Sequence, residues 1–402
     1  MNKNTKFSGK PVLSQVLDFI PKDLVCRTAK ELNADRYYKK FTTHDHLITM
    51  LYGMLSGCTS LRELSTGLLG CGGKISHLGI NYFPKRSTLS DANQRRSEHV
   101  FEKIYTRLYQ YHRPFLSDSC TKMKKQNIDS NVFIVDSTTI SLFGSVLKGV
   151  GRKPINGKKK GGIKAHTTIN SSEDVPCLVK LTAASVHDST YLKELNLPAH
   201  SWIVFDKGYT DYSQYEQLTN TNINFVTRER DNASYISIKE YDLNNQNSDA
   251  VLKDEKIWVN KNPKELIMLR RVVYWDNVKS RLMIFITNNH NETPDIIADL
   301  YKKRWQIELL FKRLKQNFPL KYFLGDSANA IKIQVWVCLI AQLIMKVIQK
   351  MAEKQWAYSN MVSLIKFHLF SYIKLFVFLK NPNQEYSIIT SKNNQTEIKF
   401  SD

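Results

Sequence analysis

Acidic residues are the scarce class in this chain of 402: 37 Asp and Glu stand against 58 Lys and Arg, a formal charge of +21. A surplus of that size repels itself unless a polyanion accepts it. Nucleic acid is the first partner class, an acidic membrane surface the second, and a plainly solvated basic surface the bland alternative. Paired cysteines are lacking too. Cys26, Cys58, Cys71, Cys120, Cys177 and Cys338 lie far apart with no CxxC spacing, which argues against a disulfide framework or zinc site and fits a reducing cytoplasm. The opening MNKNTKFSGKPVLSQ has charge but no apolar stretch, unlike a secretory signal. Val335 to Met345, the most apolar run, is interrupted by Gln342 and is too short for a membrane span, so a buried helix is expected there. No internal repeat is visible.

What is present changes character along the chain. Residues from about 12 to 118 carry helical spacing, clearest from Asp45 to Ser56. The segment RSTLSDANQRR, Arg86 to Arg96, predicts a small helix capped by Ser87 or Thr88, with Arg86, Arg95 and Arg96 as candidate DNA contacts. A solvated surface helix explains the same residues. Short apolar runs follow at Val132–Val135, Ile163–Ile169, Cys177–Leu181, Trp202–Phe205 and Ile223–Val226, an α/β order. From 229 to 287 the pattern predicts a β-rich insertion, and beyond Asn291 helices run to about 380 before a polar tail.

Two of the apolar runs end in aspartate, FIVD at Asp136 and IVFD at Asp206. Carboxylates at the carboxyl edge of neighbouring strands repel each other unless a cation joins them, and magnesium, a hard cation, prefers such oxygens. Gly208 would let the chain turn beneath them. A strand-ending aspartate also serves as a turn former or helix cap. The helix after Thr293 is more telling. With Tyr301 set at zero and about 100° per residue, Arg304 falls near about 300°, Glu308 near about 340° and Lys315 near about 320°. This polar stripe borders the apolar arc of Ile296, Leu300, Ile307, Leu310, Phe311 and Leu314 instead of opposing it. A surface ion pair between Arg304 and Glu308 is the simpler account. Trp305 falls off the apolar arc, where it could stack on a base. A glycine-rich basic stretch from Lys148 to Lys164, including Lys158, Lys159 and Lys160, predicts a DNA-backbone clamp, with a solvated loop as its alternative. His166 and His187 are expected to be structural.

Tyr301-x2-Arg304-x3-Glu308-x6-Lys315, VDSTT around Asp136 and FDKGY around Asp206 together resemble the bacterial insertion-sequence DDE transposases of the YREK-signature group. The resemblance covers most of the chain, because three separated motifs agree in order. It implies a ribonuclease-H-like catalytic domain in two parts, 126–228 and 288–325, separated by the insertion at 229–287. A helical DNA-binding region (1–125), C-terminal helices (326–380) and the tail (381–402) would flank it. It also implies that Asp136, Asp206 and Glu308 hold two Mg2+ or Mn2+ ions. The reaction implied is cut-and-paste transposition: nicking, release through a hairpin and strand transfer, with terminal inverted repeats bound. Tyr301, Arg304 and Lys315 would grip phosphates, and Trp305 a flipped base. The expected partners are double-stranded DNA and a second copy in the synaptic complex, in the bacterial cytoplasm at the nucleoid. The rivals are a nuclease that cuts without joining and a non-catalytic repressor.

Overall fold

The helical spacing of the first third is realised as α1 (Val12–Leu17), α2 (Lys22–Glu31), α3 (Thr43–Ser56), α4 (Leu61–Gly70), α5 (Arg86–Arg95) and α6 (Glu98–Leu116). This computed structural model describes residues 9–70, 75–80, 82–116, 131–141, 162–243, 250–262 and 265–383. α3 shows how local sequence sets a boundary. The Thr42 hydroxyl accepts from the N–H of Asp45, the Asp45 carboxylate accepts from the N–H of Thr42, and Gly57 closes the helix at φ 75°. α5 departs from expectation: Lys85 precedes it without a side-chain cap, so Ser87 and Thr88 lie inside the helix.

Strands then follow: β1 (Val132–Ser141), β2 (Gly162–Asn170), β3 (Pro176–Ala183), β4 (Trp202–Phe205), β5 (Asn224–Arg228), β6 (Tyr235–Glu240), β7 (Val251–Asn262), β8 (Glu265–Asp276) and β9 (Arg281–Thr287). α7 (Ser189–Leu192) precedes β4, and α8 (Tyr212–Asn220) precedes β5. The last part is helical: α9 (Pro294–Lys302), α10 (Trp305–Asn317), α11 (Ala328–Met351), α12 (Tyr358–Phe367) and α13 (Leu375–Lys380). Two units emerge, Met1–Leu116 with Arg313–Asp402, and Ser117–Lys312. The C-terminal helices therefore join the N-terminal ones in one unit, and the boundary at 312/313 falls within α10.

In the second unit the strands form one sheet in the order β3-β2-β1-β4-β5-β9-β8-β7-β6. β1 pairs with β4, and β4 with β5, in parallel; the other neighbours are antiparallel. The insertion at 229–287 is thus no separate layer. Its β9 hydrogen-bonds to β5 and extends the same sheet. Phe205, Tyr215 and Phe225 pack beneath the parallel strands, with ring centroids 4.4 to 6.0 Å apart. The outer strands carry buried ion pairs: Arg270 forks onto Asp254 at 2.8 and 2.6 Å, and Arg271 reaches Glu229 and Glu255 at 2.9 Å.

In the first unit α11 packs on α3, α5 and α6. By length and composition α11 could cross a membrane, yet nearly all of its most apolar stretch is buried in the fold. Arg96, offered by the sequence as a DNA contact, is a core residue here at 2% exposure. Its guanidinium donates to the Phe41 carbonyl (2.9 Å) and to His46 Nδ1 (3.0 Å), pairs with Asp35 (3.2 Å) and lies over the Tyr38 ring. These partners consume the charge that DNA would need, so Arg96 is withdrawn from the DNA set.

His46 is held neutral by the same network. Its Nε2–H donates to Asn93 Oδ1 (2.8 Å), leaving Nδ1 to accept from Arg96. Burial, reinforced by the Arg96 charge, pulls its pKa down to about 3. A folded pKa below the ordinary value near 6.5 means that the unfolded chain binds the proton first. The stability contribution is whole above about pH 6.5 and is lost as pH falls toward about 3, at about 1.4 kcal/mol per unit. Thermal melts between pH 7 and 4 should fall more steeply for the natural chain than for His46→Gln. Parallel slopes would remove His46 as the source.

Candidate functional site

Asp136 does not end its strand, as the sequence suggested. β1 continues to Ser141 along β2, because Ser, Thr and Ile after Asp136 suit an antiparallel ladder. Its parallel pairing with β4 nevertheless stops at Val135, opposite Phe205. Asp136 and Asp206 therefore each follow the last paired residue of adjacent strands. Asp206 leads into a tight 3-10 turn, Lys207–Tyr209. Gly208 has no left-handed φ there and open space at its Cβ position, so the turn does not require glycine.

The third carboxylate lies on a helix that is broken where a continuous one was expected. Around Lys303 and Arg304 the backbone bonds shorten to three-residue spacing: Arg304 N–H to Tyr301 O (3.0 Å), Gln306 N–H to Lys303 O (2.9 Å) and Ile307 N–H to Arg304 O (3.2 Å). This tighter winding separates α9 from α10 and offsets the stripe angles beyond it. Tyr301 is consequently a core side chain, packed on Phe285 at 5.1 Å, and only its hydroxyl reaches the site, donating to Asp206 Oδ1 at 3.2 Å. Burial pushes this phenol up to about 12, so it stays a donor.

Arg304 ties the rest together. One terminal nitrogen contacts Glu308 Oε1, and the other lies 3.6 Å from Asp136 Oδ2. Burial alone would weaken its charge, but Tyr301, Glu308 and Asp136 outweigh it and hold the guanidinium above its usual range. Asp136 is pushed up to about 6, first by burial and then by Asp206 and Glu308, against the Ser137 N–H bond (2.8 Å) and Arg304. Arg304 thus joins Asp136 and Glu308, and the Tyr301 phenol holds Asp206 beside them. The oxygens of the three carboxylates do not all meet within 4.8 Å; among the described residues that spacing belongs to Glu98, His99 and Glu102. That trio is less suited to a metal, since Glu98 already accepts from Trp336 Nε1–H and Lys332, both at 2.9 Å.

Trp305 is 52% exposed and forms the wall of a cavity of about 560 Å³ between the start of α10 and the β8–β9 turn. Lys279 from that turn lies 4.9 Å above the indole. Nothing in the sequence near the motifs pointed to Lys279. Lys315 is exposed on the last turn of α10. Arg86 is exposed on α5, and Arg95 is exposed but paired with Asp91 at 2.7 Å.

Lys158, Lys159 and Lys160 lie outside the described residues. Lys164 does not belong to a free loop: it is part of β2, is 5% exposed, donates to the Val186 carbonyl (2.7 Å) and pairs with Asp188 (3.1 Å). An ammonium neutralised in the fold has no charge left for a phosphate, so Lys164 leaves the clamp. His166 is buried, stacked on Tyr191 and hydrogen-bonded to Thr182, as a structural histidine should be. His187 is exposed and bonds only locally, to Ser189.

Residues 128–344 match the family model described as a transposase DDE domain, and residues 8–81 match a domain of unknown function. A putative transposase of Sinorhizobium fredii is 28% identical over 268 residues, 66% of this chain and 71% of the relative. A putative transposase for an insertion sequence element of Synechocystis is 30% identical over 273 residues, 65% of this chain and 71% of the relative. A probable insertion-sequence transposase of Geobacillus stearothermophilus is 25% identical over 222 residues, 55% of this chain and 58% of the relative. A solved piggyBac transposase synaptic complex with hairpin DNA aligns at 13% identity and TM-score 0.44, over 98% of this chain and 87% of that one.

Proposed function

This chain belongs to the transposase DDE family, and from that premise we propose that Asp136, Asp206 and Glu308 are its catalytic carboxylates in cut-and-paste movement of an insertion sequence. The observation that carries the assignment is their convergence on Arg304 and Tyr301, from two adjacent strands and one helix. The strand order β3-β2-β1-β4-β5, with three antiparallel strands followed by two parallel ones, supports a ribonuclease-H-like core. The spacing of Tyr301, Arg304, Glu308 and Lys315 favours the YREK-signature group.

The family depends on divalent metal, and the donor set fits it: carboxylate oxygens suit a hard cation, and one of them is buried among like charges that need neutralising. We assign the holding of two Mg2+ or Mn2+ ions to Asp136, Asp206 and Glu308. When bound, such ions make a water or 3′-hydroxyl a better nucleophile and stabilise the leaving oxygen of an in-line phosphoryl substitution. The chain's own side chains do the rest. Arg304, relieved of the carboxylates, turns its fork to the phosphate beside the break, and Lys315 adds a second positive charge. Tyr301 keeps Asp206 oriented through its hydroxyl. Trp305, at the mouth of its cavity, stacks a base turned out of the duplex, with Lys279 holding the adjoining phosphate.

Arg86 and Arg95 on α5, with Lys158, Lys159 and Lys160, supply contacts to the terminal inverted repeats, and two copies pair the two ends. The setting is the bacterial cytoplasm, at the nucleoid. One experiment tests the reading: full-length protein is given DNA carrying the repeats that flank its coding region, with Mg2+ or with EDTA. Nicks, hairpins and joining to target DNA are expected with Mg2+ alone, and Trp305→Ala should nick but accumulate fewer hairpins. Cutting without joining would make the protein a nuclease; binding without cutting would make it a repressor.

A further inference from the structure

Beyond Val135, β1 loses β4 as a hydrogen-bonded neighbour and keeps only β2. The direction of Asp136, the first residue past that point, therefore needs support from elsewhere. Ser137 provides a link. Its N–H donates to Asp136 Oδ1 at 2.8 Å, and its hydroxyl donates to Asp188 Oδ1 at 2.7 Å. Asp188, just ahead of α7, collects side chains from both strands of the pair. Lys164 of β2 lies 3.1 Å away and His166 Nδ1 3.6 Å away, and Ser137 sits directly opposite His166 in the β1–β2 register. Lys164 and His166 are buried, and neither has a part in the strand-cleavage chemistry above.

We propose that Asp188 is a positioning residue for strand cleavage: through Ser137 it fixes the stretch of β1 that aims Asp136. The hydrogen bond from the Ser137 hydroxyl to the Asp188 oxygen carries the position to the site, while the ion pair with Lys164 contributes to stability. The inference rests on Asp136 being a metal-binding carboxylate. Losing an outer partner of such a ligand typically costs about 10- to 100-fold in metal affinity or activity.

The variants separate positioning from folding. Ser137→Ala removes the link but leaves the Lys164–Asp188 pair intact. Asp188→Asn keeps a carbonyl oxygen for Ser137 but strands a buried ammonium, which is strongly destabilising. In the full-length protein, Asp188→Asn should melt at a lower temperature than Ser137→Ala yet bind Mn2+ more tightly, measured by electron paramagnetic resonance without DNA. Ser137→Ala should cleave about tenfold more slowly in Mg2+, and Ser137→Thr, which restores the hydroxyl, should recover both cleavage and Mn2+ binding. Mn2+ affinity that simply follows melting temperature across the variants would overturn the proposal, as would Ser137→Ala matching the natural chain. Failure of the metal-site reading itself would show differently, as undiminished cleavage by Glu308→Gln.

Discussion

Glu308→Gln should bind element ends as the natural chain does and cleave them more than about 100-fold more slowly in saturating Mg2+. Loss of a group that merely orients a metal ligand costs about 10- to 100-fold, so loss of the ligand's own charge should exceed that range. The amide is nearly isosteric and still able to accept from Arg304. The pair it replaces is partly open to water, with 32% of the Glu308 side chain exposed, so a drop in melting temperature should be slight. Cleavage is read on end-labelled repeat DNA, and binding by gel shift in EDTA. Near-normal cutting would remove Glu308 from the catalytic set.

Arg304→Gln should separate two quantities that usually fall together. Its guanidinium is engaged with Glu308 and Asp136, the groups assigned to the metal. Removing it takes away a competing cation, so Mn2+ binding to the protein alone should hold or strengthen. Cleavage should nevertheless drop by about 10- to 150-fold, because a charge-assisted hydrogen bond to phosphate is worth about 1.5–3 kcal/mol. Arg304→Lys should recover only part of the rate, since an ammonium lacks the planar fork. If Mn2+ binding and cleavage decline in parallel, Arg304 builds the metal site and does not guard it.

These two residues were legible from spacing because helix periodicity and charge type carry their own signal. So was β4, four apolar residues closed by Asp206. Other parts depended on partners that spacing does not reveal. Arg96 and Lys164 look like surface cations until Asp35 and Asp188 are found beside them, 61 and 24 positions away in sequence. The charged first half of β7 imitates a polar loop, but Asp254 and Glu255 are neutralised by Arg270 and Arg271 of β8 across the ladder. β6 escaped notice because all of its residues are exposed at the sheet's edge, so no buried face imposed alternation on it. The break between α9 and α10 is a change of winding, which arithmetic at a constant angle per residue cannot register.

The join between β5 and β9 has a mechanical meaning. The turn bearing Lys279 and the strand leading to Asp206 belong to one hydrogen-bonded lattice, two ladder steps apart through β5. A sheet of this kind bends little along its hydrogen bonds. On the proposed reading, the wall beside Trp305 and the carboxylates act as fixed marks on a ruler, and the number of nucleotides between a turned-out base and the cut phosphate would be set by the backbone of the protein.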